Sequence, residues 1–172
     1  MSKKASRSGA AAAVPSRTRI DLGENARKQM CALLNARLAD ALDLAGQCKQ
    51  AHWNVKGPNF AALHELFDTL HANVNVHVDA IAERVAALGG VALGTASIVA
   101  EKTSLPDYPT DIRAGRDHAD RMSIAFSVFA KNVRAAIDAA DEAGDAVTAD
   151  LFTEVAAQTD KDLWMLDAHL EE

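Results

Sequence analysis

Six side chains between positions 64 and 83 share one chemical trait: each offers an oxygen or nitrogen lone pair to a cation. They are His64, Asp68, His71, Asn75, Asp79 and Glu83, at successive offsets of 4, 3, 4, 4 and 4 residues, which sets them along one face of a helix. A solvated face is the ordinary reading of such a stripe, but solvated faces are usually built from Lys, Glu, Arg and Gln. This one holds imidazoles, carboxylates and an amide, a set able to coordinate divalent iron, manganese or zinc. His64 with Asp68 and Asp79 with Glu83 are both i, i+4 pairs, yet their midpoints are about 22 Å apart along a helix rising 1.5 Å per residue. One metal in one chain cannot span that gap. Two copies of the helix, packed antiparallel about a two-fold axis near Asn73 and Val74, bring each pair opposite the other and build two identical sites. His52, upstream, either supplies a third nitrogen or is a core histidine with a satisfied hydrogen bond.

Competing chemistries find little support. His64-Glu65-x-x-Asp68 has Asp where a helical zinc-protease signature has its second histidine, and Glu65 points about 100° away from the pair. The Glu-x-x-His pairs of di-iron bundles do not occur in the chain, which argues against an intrachain di-iron centre. Gly-rich phosphate loops and a Gly-x-Ser-x-Gly elbow are absent too.

The elements that must carry the stripe follow from periodicity. Met30, Leu34, Leu38, Ala41, Ala45, Cys48 and His52 recur every three or four residues and predict a long helix from Leu22 to about Gln50. Gly57-Pro58-Asn59 marks a short connection, with Asn59 as N-cap of a second helix from Phe60 to Leu88, closed by Gly89-Gly90. Its apolar face is Leu63, Phe67, Leu70, Val74, Val78, Ile81, Val85 and Leu88. Val91 to Pro109 reads as a long crossover with a short helix at Ala96–Lys102. Thr110 or Asp111 is expected to cap a third long helix, through Ile112, Met122, Phe126, Phe129, Val133 and Ile137 to Gly144; Asp145 then opens a fourth, through Val147, Leu151, Val155, Leu163, Leu166 and Leu170. The expected fold is all-α, a ferritin-like four-helix bundle with one long crossover.

Composition agrees. At 172 residues, 49% hydrophobic and 5% aromatic, the chain is sized for one domain and lacks the β-branched and aromatic runs of an all-β fold. No uncharged apolar stretch is long enough for a membrane span, and the Ala-rich N-terminus is too weakly hydrophobic for a signal-peptide core, so a protein that is neither exported nor membrane-bound is expected. Cys31 and Cys48, on one helix about 25 Å apart, cannot pair within the chain and fit a reducing cytoplasm. Lys3, Lys4, Arg7, Arg17 and Arg19 precede the first acid, Asp21, so an overall charge of −6 divides into a +5 arm and a −11 body. Residues 1–20 read as a flexible basic tail and 21–172 as the bundle.

Lys49-Gln-Ala-His-Trp-Asn-Val-Lys-Gly-Pro-Asn-Phe60, His64-Glu-x-x-x-Asp68, His77-x-Asp-x-x-Ala-Glu-Arg84, Leu88-Gly-Gly-Val-Ala-Leu-Gly94 and Tyr108-Pro-x-Asp111 closely resemble the Dps family, DNA-binding proteins from starved cells. The resemblance runs from about Asp21 to Leu170. It implies a mini-ferritin, a hollow homo-dodecamer whose di-iron ferroxidase centres lie at two-fold interfaces. Carried over by position, it implies that His52 joins Asp79 and Glu83 of a second copy on the tighter iron, while His64 and Asp68 hold a weaker second iron. It also implies oxidation of Fe²⁺ with hydrogen peroxide as preferred oxidant and storage of ferric oxide in the cavity. Trp53 is either an electron donor that quenches a stray oxidising equivalent or a packed core aromatic. Asp138, Asp141, Asp145, Asp150 and Glu154 fall where the family has an acidic three-fold pore, or serve as ordinary capping and dipole compensation. His71 and Asn75 match no family ligand and are expected to line the dimer contact, and His77, His118 and His169 to be surface or structural. The arm suggests sequence-independent DNA binding and a nucleoid-associated, cytoplasmic location; a solvated extension that binds nothing is the alternative.

Overall fold

The computed structural model describes residues 17–171. Five helices follow one another: α1 (Glu24–Asn54), α2 (Phe60–Ala87), α3 (Ala96–Lys102), α4 (Gly115–Glu142) and α5 (Ala146–Asp167). The four long ones form the bundle. α1 and α2 make one antiparallel hairpin and α4 and α5 the other; α1 also packs on α4, and α2 on α5. Among the described residues the only β feature is an isolated parallel bridge between Lys56 and Ala114, and none of the described helices is long and apolar enough to cross a membrane.

The core is the apolar stripe of each helix turned inward. Met30, Leu34, Leu38, Ala41, Ala45 and Cys48 of α1 are buried against Leu63, Phe67, Leu70, Val74, Ile81 and Val85 of α2. Phe126 and Phe129 of α4 and Phe152 of α5 fill the opposite half, also fully buried, each such ring contributing about 1.5–3 kcal/mol by leaving water. Both cysteines are free and buried, and burial pushes the Cys48 thiol far up. Asp162 is buried in α5, where desolvation raises its carboxyl while the Gln158 and Asn73 amides at 2.8 and 2.9 Å oppose the shift.

The crossover is stapled to α1. Asp40, wholly buried, pairs with Arg37 at 2.8 Å and accepts the Ser104 backbone N–H and hydroxyl at 2.8 and 3.0 Å. Gln47 Nε2 donates to the Pro106 carbonyl at 3.1 Å.

Three local expectations are corrected. α4 begins at Gly115, not at a cap on Thr110 or Asp111, because the preceding segment pairs with the α1–α2 loop: Lys56 N donates to Arg113 O at 3.0 Å and Gly115 N to Lys56 O at 3.1 Å. A side chain at 115 would meet Leu63 Cδ1 at 2.5 Å, so glycine permits this close entry. Asn59 occupies the N-cap position of α2 without a side-chain cap bond. Val147, read as part of an apolar face, is exposed. Asp145 does cap α5, accepting from Thr148 N at 3.1 Å after Gly144 turns the chain at φ +75°.

Candidate metal centre

The short 55–59 connection folds the end of α1 against the start of α2, and this brings His52 and His64 face to face. Their rings stack at 3.7 Å between centroids with 21° between planes. Each is held by the other's backbone: His52 Nδ1 donates to His64 O at 2.7 Å, and His64 Nδ1 donates to His52 O at 2.8 Å. A carbonyl only accepts, so the hydrogen sits on both Nδ1 atoms and both Nε2 lone pairs are left for a cation. Reciprocal fixing of this kind orients metal-ligating imidazoles.

Around the pair lies a shallow concavity lined by His52, His64, Glu65, Asp68, Thr69 and Ala72. Asp68 accepts an ion pair from Lys49 Nζ at 2.7 Å, and the Lys49 hydrogen bond holds its carboxyl below the ordinary range. Lys49 also lies 5.9 Å above the Trp53 ring. Trp53 is 68% exposed, so the reading of it as a packed core aromatic is corrected: it lies on the outward face of the α1 end, whose inward face is taken by buried Ala51 and Val55. Phe60 stacks on the outer side of His64 at 5.0 Å. Lys49 and Phe60 stood in the sequence only as the ends of a family motif, with no part in the site assigned to either, although their offsets from His52 and from His64 put them on the same helix faces.

Asp79 and Glu83 are exposed farther along α2 and make no hydrogen bond or ion pair among the described residues. They stand about 22 Å from His64 and Asp68 at 1.5 Å per residue. Among the described residues no three His, Cys, Asp or Glu side chains of one chain converge to hold a metal. Between the two pairs, His71 Nδ1 donates to Ala45 O at 3.0 Å while its Nε2 meets Asn75 Nδ2 at 2.9 Å, which leaves that imidazole no free lone pair.

The acidic set divides. Asp138, Asp141, Asp150 and Glu154 are exposed. Asp145 is corrected: it is 3% exposed and bound by both oxygens to Arg84 Nη2 at 2.7 and 3.0 Å, so it faces the core junction of α2 and α5 and lines no channel. His77 is half-buried and carries an unpartnered Nε2; burial lowers its pKa, and Glu154 opposes the shift. His118 is buried and His169 exposed. Of the basic arm, Arg17 and Arg19 are exposed; Lys3, Lys4 and Arg7 lie outside the described residues.

Comparison with known proteins gives a consistent neighbourhood. Residues 31–172 match the ferritin-like domain family. A DNA protection during starvation protein from Agrobacterium fabrum is 48% identical over 156 residues, 91% of this chain and 96% of the relative. One from Brevibacillus brevis is 37% identical, spanning 81% and 93%. Among solved structures, DpsC from Streptomyces coelicolor superimposes with a TM-score of 0.90 at 30% identity, covering 96% of this chain and 97% of that one.

Proposed function

The chain belongs to the Dps branch of the ferritin-like family, and on that premise we propose that it is a ferroxidase and iron store working at contacts between its own copies. Ferrous iron is its substrate, hydrogen peroxide its preferred oxidant over oxygen, and a dodecameric cage its storage vessel. One observation carries the reading: His52 at the end of α1 and His64 at the start of α2 stack with their Nε2 lone pairs free, and two unpartnered carboxylates stand about 22 Å farther along α2. A two-fold antiparallel contact joins these halves into two complete sites.

In such a site His52 of one copy and Asp79 and Glu83 of another hold the first ferrous ion, while His64 and Asp68 hold the second. Two hard carboxylates and one imidazole bind Fe²⁺ and favour Fe³⁺, with positions left open for the oxidant. Two ferrous ions give up one electron each, and peroxide with two protons leaves as two waters. Trp53 beside His52 donates an electron where a single ferrous ion meets peroxide. Asp138, Asp141, Asp150 and Glu154 form an acidic entry for the cation.

Complementation between two inactive variants tests this reading. His52→Ala and the double variant Asp79→Ala with Glu83→Ala should each lose at least about 100-fold in ferrous oxidation, since even outer-sphere changes cost 10–100-fold at metal sites. Refolded together they form mixed pairs with one intact site, and activity returns. Continued inactivity of the mixture would mean that the two halves do not share a site.

The arm extends the proposal to DNA and to the bacterial nucleoid. Lys3, Lys4, Arg7, Arg17 and Arg19, multiplied around a cage, bind phosphates without reading bases. Against it stands the −11 body, which repels DNA and favours a cage that protects DNA from solution alone. Gel retardation of plasmid by the full chain, lost between about 50 and 200 mM salt and lost on deleting residues 2–19, is the expected result. Equal retardation after the deletion would remove the arm from the account.

A further inference from the structure

Tyr108 is the chain's single tyrosine, and its hydroxyl lies 2.6 Å from Nδ1 of His118. His118 is 1% exposed. Phe67 meets its ring edge-on at 6.4 Å, and the Asn54 backbone lies against the same imidazole. These neighbours tie the pair to the metal centre: Phe67 precedes Asp68 on α2, and Asn54 follows His52 and Trp53 in the last turn of α1. The buried pair is therefore joined to the His52–His64 concavity through the buried ring of Phe67 and, on the other side, through the backbone at the end of α1.

Burial drives the Tyr108 phenol well above its ordinary range and the His118 imidazole below its own. The resting pair is thus a neutral phenol donating to a neutral imidazole, with the hydrogen on oxygen and the lone pair on Nδ1. A phenol gives up one electron readily only if its proton leaves at the same time. A buried base at hydrogen-bond distance supplies that acceptor.

We propose that Tyr108 and His118 form a proton-coupled redox relay that takes up one-electron oxidising equivalents escaping from the iron site; this rests on the ferroxidase reading above. One ferrous ion meeting hydrogen peroxide gives ferric iron, hydroxide and a hydroxyl radical. An electron from Tyr108 reduces that radical to hydroxide while the phenolic proton moves to His118 Nδ1, leaving a tyrosyl radical beside an imidazolium. A second ferrous ion then returns an electron to the tyrosyl oxygen, the proton goes back from His118, and a second ferric ion results. The sum is two ferrous ions oxidised by one peroxide, with nothing left on the protein. Exposed Trp53 hands its oxidation to the surface, whereas Tyr108 keeps it within hydrogen-bond reach of a base.

The presence of one tyrosine makes the test direct. Full-length protein loaded anaerobically with ferrous iron is mixed with peroxide and freeze-quenched, and ferric iron is followed by absorbance and radicals by electron paramagnetic resonance. Wild type should show a transient tyrosyl signal that narrows when the tyrosine ring is deuterated. Tyr108→Phe should lose it entirely and gain oxidised Trp and Met by mass spectrometry. His118→Gln, which keeps the phenol but not the base, should also lose it, with helicity and assembly size checked in both variants. Ferric iron formed without a tyrosyl signal overturns the relay and leaves the ferroxidase reading standing. A full signal in His118→Gln overturns it as well, and no iron oxidation at all removes both together.

Discussion

Asp68 and Asp145 are both carboxylates that the sequence offers for metal work, and both end in ion pairs with a cation from another part of the chain. Asp68, near the start of α2, meets Lys49 with side chains 24% and 55% exposed for the lysine and the aspartate. Asp145, packed at the far end of α2, meets Arg84 with 14% exposed on the arginine and 3% on the aspartate. The open pair leaves a carboxylate that water, and any cation arriving through water, can still reach. In the closed pair, two oxygens accept from one guanidinium and from Thr148, and their bonding capacity is spent on joining α2 to α5. Residue type is shared by the two ends; what separates them is burial and the identity of the partner.

Breaking the closed pair should have the larger effect. Arg84→Ala strands Asp145 in a buried position, and loss of one partner from a buried pair costs about 3–5 kcal/mol, read as a lower denaturant midpoint. Its pH dependence has a definite sign. Burial alone pushes the Asp145 carboxyl up, but hydrogen bonds from Thr148 and Arg84 outweigh it and hold the folded-state pKa below the ordinary 3.8. The pair therefore contributes stability above pH 3.8 that is lost as pH falls through the folded value. In Arg84→Ala the wild-type advantage should be full at neutral pH and shrink in acid; an advantage growing toward low pH would contradict the pairing.

The same contrast explains what the sequence made legible. Helices whose apolar residues repeat every three or four positions could be read directly, because burial of one face is a local pattern that the bundle respects. The start of α4 could not, since the Lys56 backbone that draws residues 113–115 out of helix lies far away in sequence. The composition of the α2 stripe was legible as chemistry, and the i, i+4 spacing as geometry. That Asp145 belonged to Arg84 was not, because 61 residues separate them and an acid at a helix start reads equally as cap, dipole partner or channel lining. Lys49 and Phe60 became visible once the α1–α2 turn set the register of the two helices. Trp53 was open between electron donor and packed core aromatic until it was seen on the outward face of α1, exposed while its neighbours Ala51 and Val55 are buried.

Breaking the open pair should leave the fold almost untouched and move a single titration. Lys49→Met keeps the aliphatic stem that packs along α1 and removes the ammonium. The Lys49 hydrogen bond is the leading cause of the lowered Asp68 carboxyl, with the charges of Lys49, His52 and His71 acting in the same direction. Without the lysine, the Asp68 side-chain carboxyl should titrate higher, toward the ordinary 3.8, when followed by carbon-detected NMR. Denaturant unfolding at neutral pH should coincide with wild type, because an exposed pair gains little over its two hydrated ions. If the midpoint fell as far as in Arg84→Ala, the start of α2 would be as tightly closed as its end, and the distinction between a carboxylate kept for structure and one left open to solvent would fail at its best-defined point.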